Sequence, residues 1–323
     1  MFPLAASEDK AVSMITILGA GGAISNELVK LLASRNQPLR LVSRRAVQEK
    51  GEGTGGAQSV AADLTDRDQT VRAVTGSSVV FLLAGLKYDH KLWAEAWPRI
   101  MSNTIEACKR AGARLVFYDN VYMYGRVNGA MTEQTPFNPC SRKGEVRAKI
   151  ATALIEEWKA GRLTAMIARA PDFYGPQAKN GMANVMVFDP MSKGQRAICL
   201  VNDSLPHSYH FTPDSARALA MLVESESAWN QIWHVPTAQN PPTARDLIEA
   251  AAKEMRRPAK YRVLNRLMVR VGGWFDPAVG EVYEMLYQND SPYLFDSTKF
   301  ARAFGFAGTP YAEGIRETAE SYR

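Results

Sequence analysis

Short apolar runs alternate with stretches of helical period along the first half of the chain. Met14 to Leu18 is an apolar run that ends in the glycines Gly19, Gly21 and Gly22, and a helix-compatible pattern follows over residues 27–34. Strand, glycine turn and helix in that order open a nucleotide-binding βαβ unit. Further β-like runs fall at 39–43, 59–61, 79–83, 114–118 and 164–168. Between them the clearest helical stretches are 92–111 and 146–159, the second placing Val146, Ile150, Leu154 and Trp158 on one face. Strands alternating with helices predict a parallel sheet covered on both faces.

The alternation stops at Phe173, beyond which prolines, glycines and methionines crowd the chain as far as Gly194. The expected organisation is therefore a short tail over 1–13, a doubly wound Rossmann-type α/β domain over 14–172, and a smaller C-terminal α/β substrate domain over 173–323. Residues 208–235 return to the first domain, through a helix at 214–223 and a β-like run at 232–235. Helical patterns at 245–256, 265–271 and 281–288 complete the second region.

Composition narrows the class. Of 323 residues, 46% are hydrophobic and 22% charged, which excludes a disordered, collagen-like or disulfide-scaffold chain. The formal charge of +6 reads as an excess spread along the chain, without a run of five like charges, and points to an anionic small ligand rather than nucleic acid. Cys108, Cys140 and Cys199 are odd in number and far apart, with no metal-ligand spacing, so a reducing compartment and no metal site are expected. No apolar run reaches the roughly 18 to 20 residues of a membrane span, and the first residues lack the pattern of a signal peptide. A cytoplasmic protein with no membrane partner is the expectation.

The glycine cluster carries the first candidate chemistry. Gly19, Gly21, Gly22 and Ser25 give a GxxGxxS spacing, in which glycine lets the backbone approach a pyrophosphate and Ala23 and Ile24 open the helix that stabilises its charge. Roughly 20 residues on, an NAD site carries an acidic residue for the ribose hydroxyl, but this chain has Ser43, Arg44 and Arg45. A hydroxyl and two guanidinium groups suit a 2′-phosphate, so NADP(H) is the expected cofactor. Asp63 and Leu64 follow the third β-run, where the adenine is expected.

These motifs, with Ala84 and Gly85 after the fourth run, Val121-Tyr-Met-Tyr124-Gly125, Thr132-Glu-Gln-Thr-Pro136, Arg169-Ala-Pro-Asp-Phe-Tyr174-Gly175-Pro176, Phe211-Thr-Pro-Asp214 and Tyr293-Leu-Phe-Asp296, fall in a recognisable order. In that order the chain resembles the extended short-chain dehydrogenases/reductases, the NAD-dependent epimerase/dehydratase family. The resemblance implies a nicotinamide dinucleotide that also meets Ala170, Asp172 and Phe173. It also implies a homodimer pairing through the helices at 92–111 and 146–159.

At the catalytic positions the resemblance breaks. The family uses a serine or threonine before the VYG-like motif and a Tyr-x-x-x-Lys, whose tyrosine is the general acid/base. Here Asn120 stands at the hydroxyl position, and Lys143 and Arg147 replace the tyrosine and the lysine. Three readings follow. Lys143 is the proton donor, with Arg147 one turn away as a like charge disfavouring its protonated form. Alternatively, Lys143 and Arg147 bind ribose or an anionic substrate and Tyr122 donates the proton, Tyr88 being a further candidate. In the third, the pocket only senses the dinucleotide. Asn120 could orient a carbonyl, and Tyr88, Tyr174, Met182, His207 and Tyr209 are candidate substrate contacts. The expected activity is reduction of a carbonyl or conjugated double bond of a small molecule. A nucleotide-sugar epimerase or dehydratase and a non-catalytic NADPH sensor remain alternatives.

Overall fold

The computed structural model of the protein describes residues 14–45 and 56–323, so the expected tail over 1–13 lies outside the described residues. Seven parallel strands form the central sheet. Five of them are β1 (Met14–Leu18), β2 (Leu39–Ser43), β3 (Gln58–Ala61), β4 (Ser77–Leu82) and β5 (Arg114–Asp119). From one edge the order is Ile232–His234, Ala165–Arg169, β5, β4, β1, β2, β3, with every pairing parallel. The direction of winding reverses between β1 and β4, and a crevice opens beyond their carboxyl ends, where ligands of doubly wound sheets bind.

Both faces of the sheet are covered, which explains the near-continuous apolar strands. On one side Leu115 and Phe117 of β5 pack against Trp97, Ile100, Ile150 and Leu154. Those four residues come from α3 (His90–Ala111) and α4 (Arg142–Lys159). On the other, Ile17, Phe81 and Val116 meet Leu28 and Leu32 of α1 (Ala23–Ser34) and Leu219 of the helix Thr212–Glu224. A helix at Arg67–Val74 (α2), which the sequence pattern does not mark, is fixed by Asp66, whose carboxylate accepts from the Gln69 N–H at 2.9 Å. The helix α4 begins four residues earlier than its apolar stripe predicts, because Ser141 caps it through the Gly144 N–H at 3.0 Å. Lys143 and Arg147 therefore lie on its first turns.

The remaining chain builds a second core of its own around Tyr174, Phe188, Phe211, Leu247, Ile248 and Ile315. Short parallel pairs frame it: Asp172–Tyr174 with Tyr209–Phe211, and Ala197–Leu200 with Tyr261–Leu264. The predicted helix at 281–288 is instead two pieces, the end of the helix Pro277–Tyr283 and a separate turn at Leu286–Asn289. With the helix Arg266–Phe275 the first piece makes a hairpin that reaches back to α4 through Glu281 and Glu284. Among the described residues no helix is long and apolar enough to cross a membrane.

Candidate functional site

The glycine turn joins β1 to α1 where the crevice opens. Gly19 has φ +99°, and a Cβ there would lie 2.4 Å from the Cα of Ala84, so the two strand ends touch backbone to backbone. Before Gly21 the space is open. The helix starts at Gly22 with no side-chain cap and no acid in its first turn, which leaves the leading N–H groups, those of Ala23 and Ile24 among them, for an anion such as a pyrophosphate. Ser25 is buried and its hydroxyl donates to the Gly22 carbonyl at 2.9 Å, closing the turn.

Past β2, the Ser43 hydroxyl donates to the backbone carbonyl of Arg45 and so shapes the bend that presents both arginines. Arg44 and Arg45 are exposed, and neither has an ion-pair partner among the described residues. Asp63 is exposed and its Oδ1 accepts from the N–H and hydroxyl of Thr65 at 2.9 and 2.8 Å. The Leu64 side chain is 8% exposed and belongs to the core beneath the sheet, so only its main chain faces the edge where the adenine is expected.

At the catalytic positions the two replacements behave differently from each other. Lys143 is fully buried. Its three N–H donors go to the Glu284 carboxylate at 2.7 Å, the Glu281 carboxylate and the Glu281 backbone carbonyl at 3.1 Å. Its ammonium also stands 4.4 Å from the centre of the Tyr88 ring. Burial alone would raise the Glu281 carboxyl, but hydrogen bonds from Lys143 and His90 hold it below the usual carboxylate range. Glu284, likewise raised by burial, is held down by Lys143 and Arg142. The helix can come this close to the Tyr122 turn because position 144 is glycine, where a Cβ would lie 2.5 Å from the Tyr122 carbonyl oxygen.

Arg147 points into the domain. Its Nε donates to Asp119 Oδ1 at 2.7 Å, and its guanidinium lies 4.4 Å from Trp97 and 5.0 Å from Phe117. Two expectations are corrected here. Arg147 serves neither ribose nor substrate, because the carboxylate at the end of β5 and the indole hold it. Nor is it a bare like charge beside Lys143, since Asp119 neutralises it.

Tyr122 is half-buried with its ring stacked on Trp93, and its hydroxyl interacts with that of Tyr88. Burial, reinforced by the negative charge of Asp172, pushes the Tyr122 phenol up, so it stays protonated. Asn120 spends its side-chain oxygen on the Tyr122 N–H at 3.1 Å, fixing the turn and leaving the amide N–H₂ as a donor. Cys140 is exposed, and partial burial moves its thiol up, away from thiolate character.

A narrow cleft enters the second core. It is lined by Met182, Met186, Leu247, Ile248, Val282 and Met285, with Asp172, His207, Gln288 and Asn289 as polar groups and Tyr209 at one wall. His207 Nε2 lies 3.0 Å from Asp172 Oδ2, and its ring is sandwiched between Tyr209 and Tyr293 at 4.6 and 4.4 Å. Tyr174 is a further correction. It is 1% exposed and does not line the cleft, because its ring is packed between Tyr311 and Phe211 inside the second core. Phe173 is half-buried, and Ala170 is fixed by its N–H to the Asp119 carbonyl at 3.0 Å.

The sequence profile described as the NAD dependent epimerase/dehydratase family matches residues 15–235. The chain belongs to that family. No curated protein matches it. Among solved structures it is similar to UDP-glucose 4-epimerase of Thermus thermophilus in complex with NAD, at 19% identity and a TM-score of 0.77 over 96% of this chain and 99% of that one. It is also similar to UDP-glucuronic acid 4-epimerase of Bacillus cereus in complex with NAD, at 15% identity and 0.76 over 96% and 98%. A third is the dTDP-glucose 4,6-dehydratase of Streptomyces venezuelae, at 18% and 0.77 over 96% and 97%. The shared fold spans both regions of the chain.

As a member of the epimerase/dehydratase family, this chain departs from its pattern through partners that are remote in sequence. Asp119, Glu281 and Glu284 went unmarked by the sequence reading. Asp119 precedes the marked Asn120 and had a signal, an acid at the end of an apolar strand. The two glutamates had only an i,i+3 spacing 138 and 141 residues from Lys143.

Proposed function

We propose that this member of the epimerase/dehydratase family binds NADP(H) in the crevice and reduces a carbonyl or conjugated double bond of a small uncharged molecule held in the cleft. The cleft's lining carries the reading. Its walls are mostly apolar, their one charged group is the carboxylate of Asp172, and among the described residues no lysine or arginine lines it. A nucleoside diphosphate sugar would bring two phosphates to walls that offer them no cation. The exposed pair Arg44 and Arg45, unpaired among the described residues, supports the phosphorylated dinucleotide.

When bound, the nicotinamide supplies hydride, and the protein's residues do the rest. Tyr122, kept protonated by the burial of its phenol group, would deliver a proton to the carbonyl oxygen, the proton that a two-electron reduction to the alcohol requires. Tyr88, in contact with Tyr122, leads the replacement proton in. The free amide N–H₂ of Asn120 polarises the carbonyl. Lys143 and Arg147 hold the walls.

The second reading is an epimerase or dehydratase acting on a nucleotide sugar, which the activities named for the similar solved structures favour. Calorimetric titration with NADPH and NADH, followed by NADPH loss against aldehydes, ketones and enones and by product analysis with UDP-glucose, separates the readings. Tighter NADPH binding with turnover of a carbonyl supports the first. Conversion of the sugar nucleotide without net loss of cofactor supports the second, and tight binding with no turnover supports an NADPH sensor.

A further inference from the structure

The charge of this protein is not spread along its length. Arg256, Arg257, Lys260, Arg262, Arg266 and Arg270 lie within a stretch, 255–275, that contains no acidic residue. Those six equal the entire formal excess of +6, so the rest of the chain is neutral in sum. This overturns the expectation of an evenly distributed excess. Arg266 pairs with Asp290, whereas the other five make no ion pair among the described residues. The hairpin's acids face elsewhere: Glu281 and Glu284 are turned in to Lys143, and Asp276 accepts from the Ala278 N–H at 2.8 Å.

Among the described residues the same segment holds the most exposed of the large apolar side chains. Leu267 is 68% exposed, Met268 50%, Trp274 75% and Phe275 85%, with Val263 and Val271 beside them. Of the helix Arg266–Phe275 only Val269 is buried. A soluble surface tolerates single exposed apolar groups, but a contiguous set of this kind marks an interaction site.

We propose that this hairpin is a peripheral docking surface for an anionic lipid membrane, with Trp274 and Phe275 entering the headgroup layer and the arginines meeting acidic headgroups. Cationic residues around an exposed Trp-Phe tip are the chemistry of an interfacial helix. Charge complementarity favours lipid over a second copy of the chain. A two-fold contact through this face would set its arginines against their own equivalents. The aliphatic side chains of Leu267, Met268 and Val271 suit acyl chains, whereas a nucleic acid could stack only on Trp274 and Phe275 and would leave these three facing water. Val282 and Met285, in the second arm of the hairpin and just after it, line the cleft, so docking would bring its mouth beside the bilayer.

The test is co-sedimentation of the full chain with vesicles of phosphatidylcholine alone and of an equimolar mixture with phosphatidylserine. It needs neither cofactor nor turnover, so its failure is separate from failure of the catalytic reading. Binding is expected to the mixed vesicles, weakened by salt, and weak to phosphatidylcholine alone. Arg262→Gln with Arg270→Gln should lower partitioning about thirtyfold, at roughly fivefold per surface cation. Trp274→Ser with Phe275→Ser should lower it more than tenfold while circular dichroism stays unchanged, since both side chains are largely exposed. No binding, binding equal for both lipids, or binding untouched by either variant overturns the proposal. So does a dimer mass in light scattering that the Trp274→Ser, Phe275→Ser variant reduces to a monomer, or capture by single-stranded DNA in preference to vesicles.

Discussion

The guanidinium of Arg147 donates from Nε to Oδ1 of Asp119 at 2.7 Å, inside a layer of aromatic rings between α4 and β5. Removing one member of a buried pair leaves the other charge uncompensated, at a cost of about 3–5 kcal/mol. Arg147→Ala should lower the urea midpoint by the equivalent of about 3 kcal/mol, the low end, because Arg169 stays 3.7 Å from Asp119. A midpoint within error of the unmodified protein would show that the pair does not support the fold.

Lys143 and Tyr122 separate by their bonding. With all three Lys143 donors spent on Glu281 and Glu284, Lys143→Met should speed amide exchange over 277–289 while turnover falls less than tenfold. Tyr122→Phe should reduce turnover by about 10²–10⁴-fold with cofactor affinity kept. Loss of turnover in Lys143→Met with unchanged exchange would assign the proton to the lysine.

For the dinucleotide, Arg44→Ala with Arg45→Ala should weaken NADPH by about tenfold or more, the worth of a charge-assisted hydrogen bond, and NADH little. Calorimetry on both cofactors decides it, and equal losses refute the 2′-phosphate assignment.

Stability should fall between pH 7 and pH 5. Burial lowers His210 to about 4 and His234 to about 3. Each ring is held neutral, His210 Nδ1 donating to the Pro236 carbonyl at 2.9 Å while Nε2 accepts from the Ser215 hydroxyl at 2.6 Å. His234 likewise donates from Nδ1 to the Asp296 carbonyl at 2.8 Å and accepts from the Tyr124 hydroxyl at 2.9 Å. Below the unfolded value near 6.5 the unfolded chain binds protons that these two refuse, so stability rises with pH across this window. Each contributes about 2 kcal/mol of the loss at pH 5. Urea midpoints at the two pH values should differ, and His210→Gln should remove about half of the difference, leaving the part that His234 contributes. Equal midpoints would refute neutral burial.

The alternation of apolar runs and helical stretches, with the glycine turn between the first two, was legible because each is set by local preference and period. A strand buried on both faces must be apolar throughout, and a backbone that runs against Ala84 must lack a Cβ at Gly19. The same locality made Ser43, Arg44 and Arg45 readable as the end of β2. Spacing also identified Lys143 and Arg147 as replacements at known positions, but not their chemistry. What a cation does depends on which charge lies within a few ångströms, and Asp119, Glu281 and Glu284 reach those places only through the fold. Leu64 and Tyr174 show the same limit. Their motifs put them near the ligand, yet core packing turned their side chains inward. The basic segment from Arg256 to Arg270 was present in the sequence throughout, but its significance depended on three-dimensional outcomes: Asp276 capped a helix, Glu281 and Glu284 faced Lys143, and Trp274 and Phe275 stayed in solvent. Sequence determined the sheet, the turn and the cationic count, because these are additive along the chain. Tertiary structure decided which charges remain free and which apolar groups remain exposed, because pairing and burial depend on residues that only folding brings together.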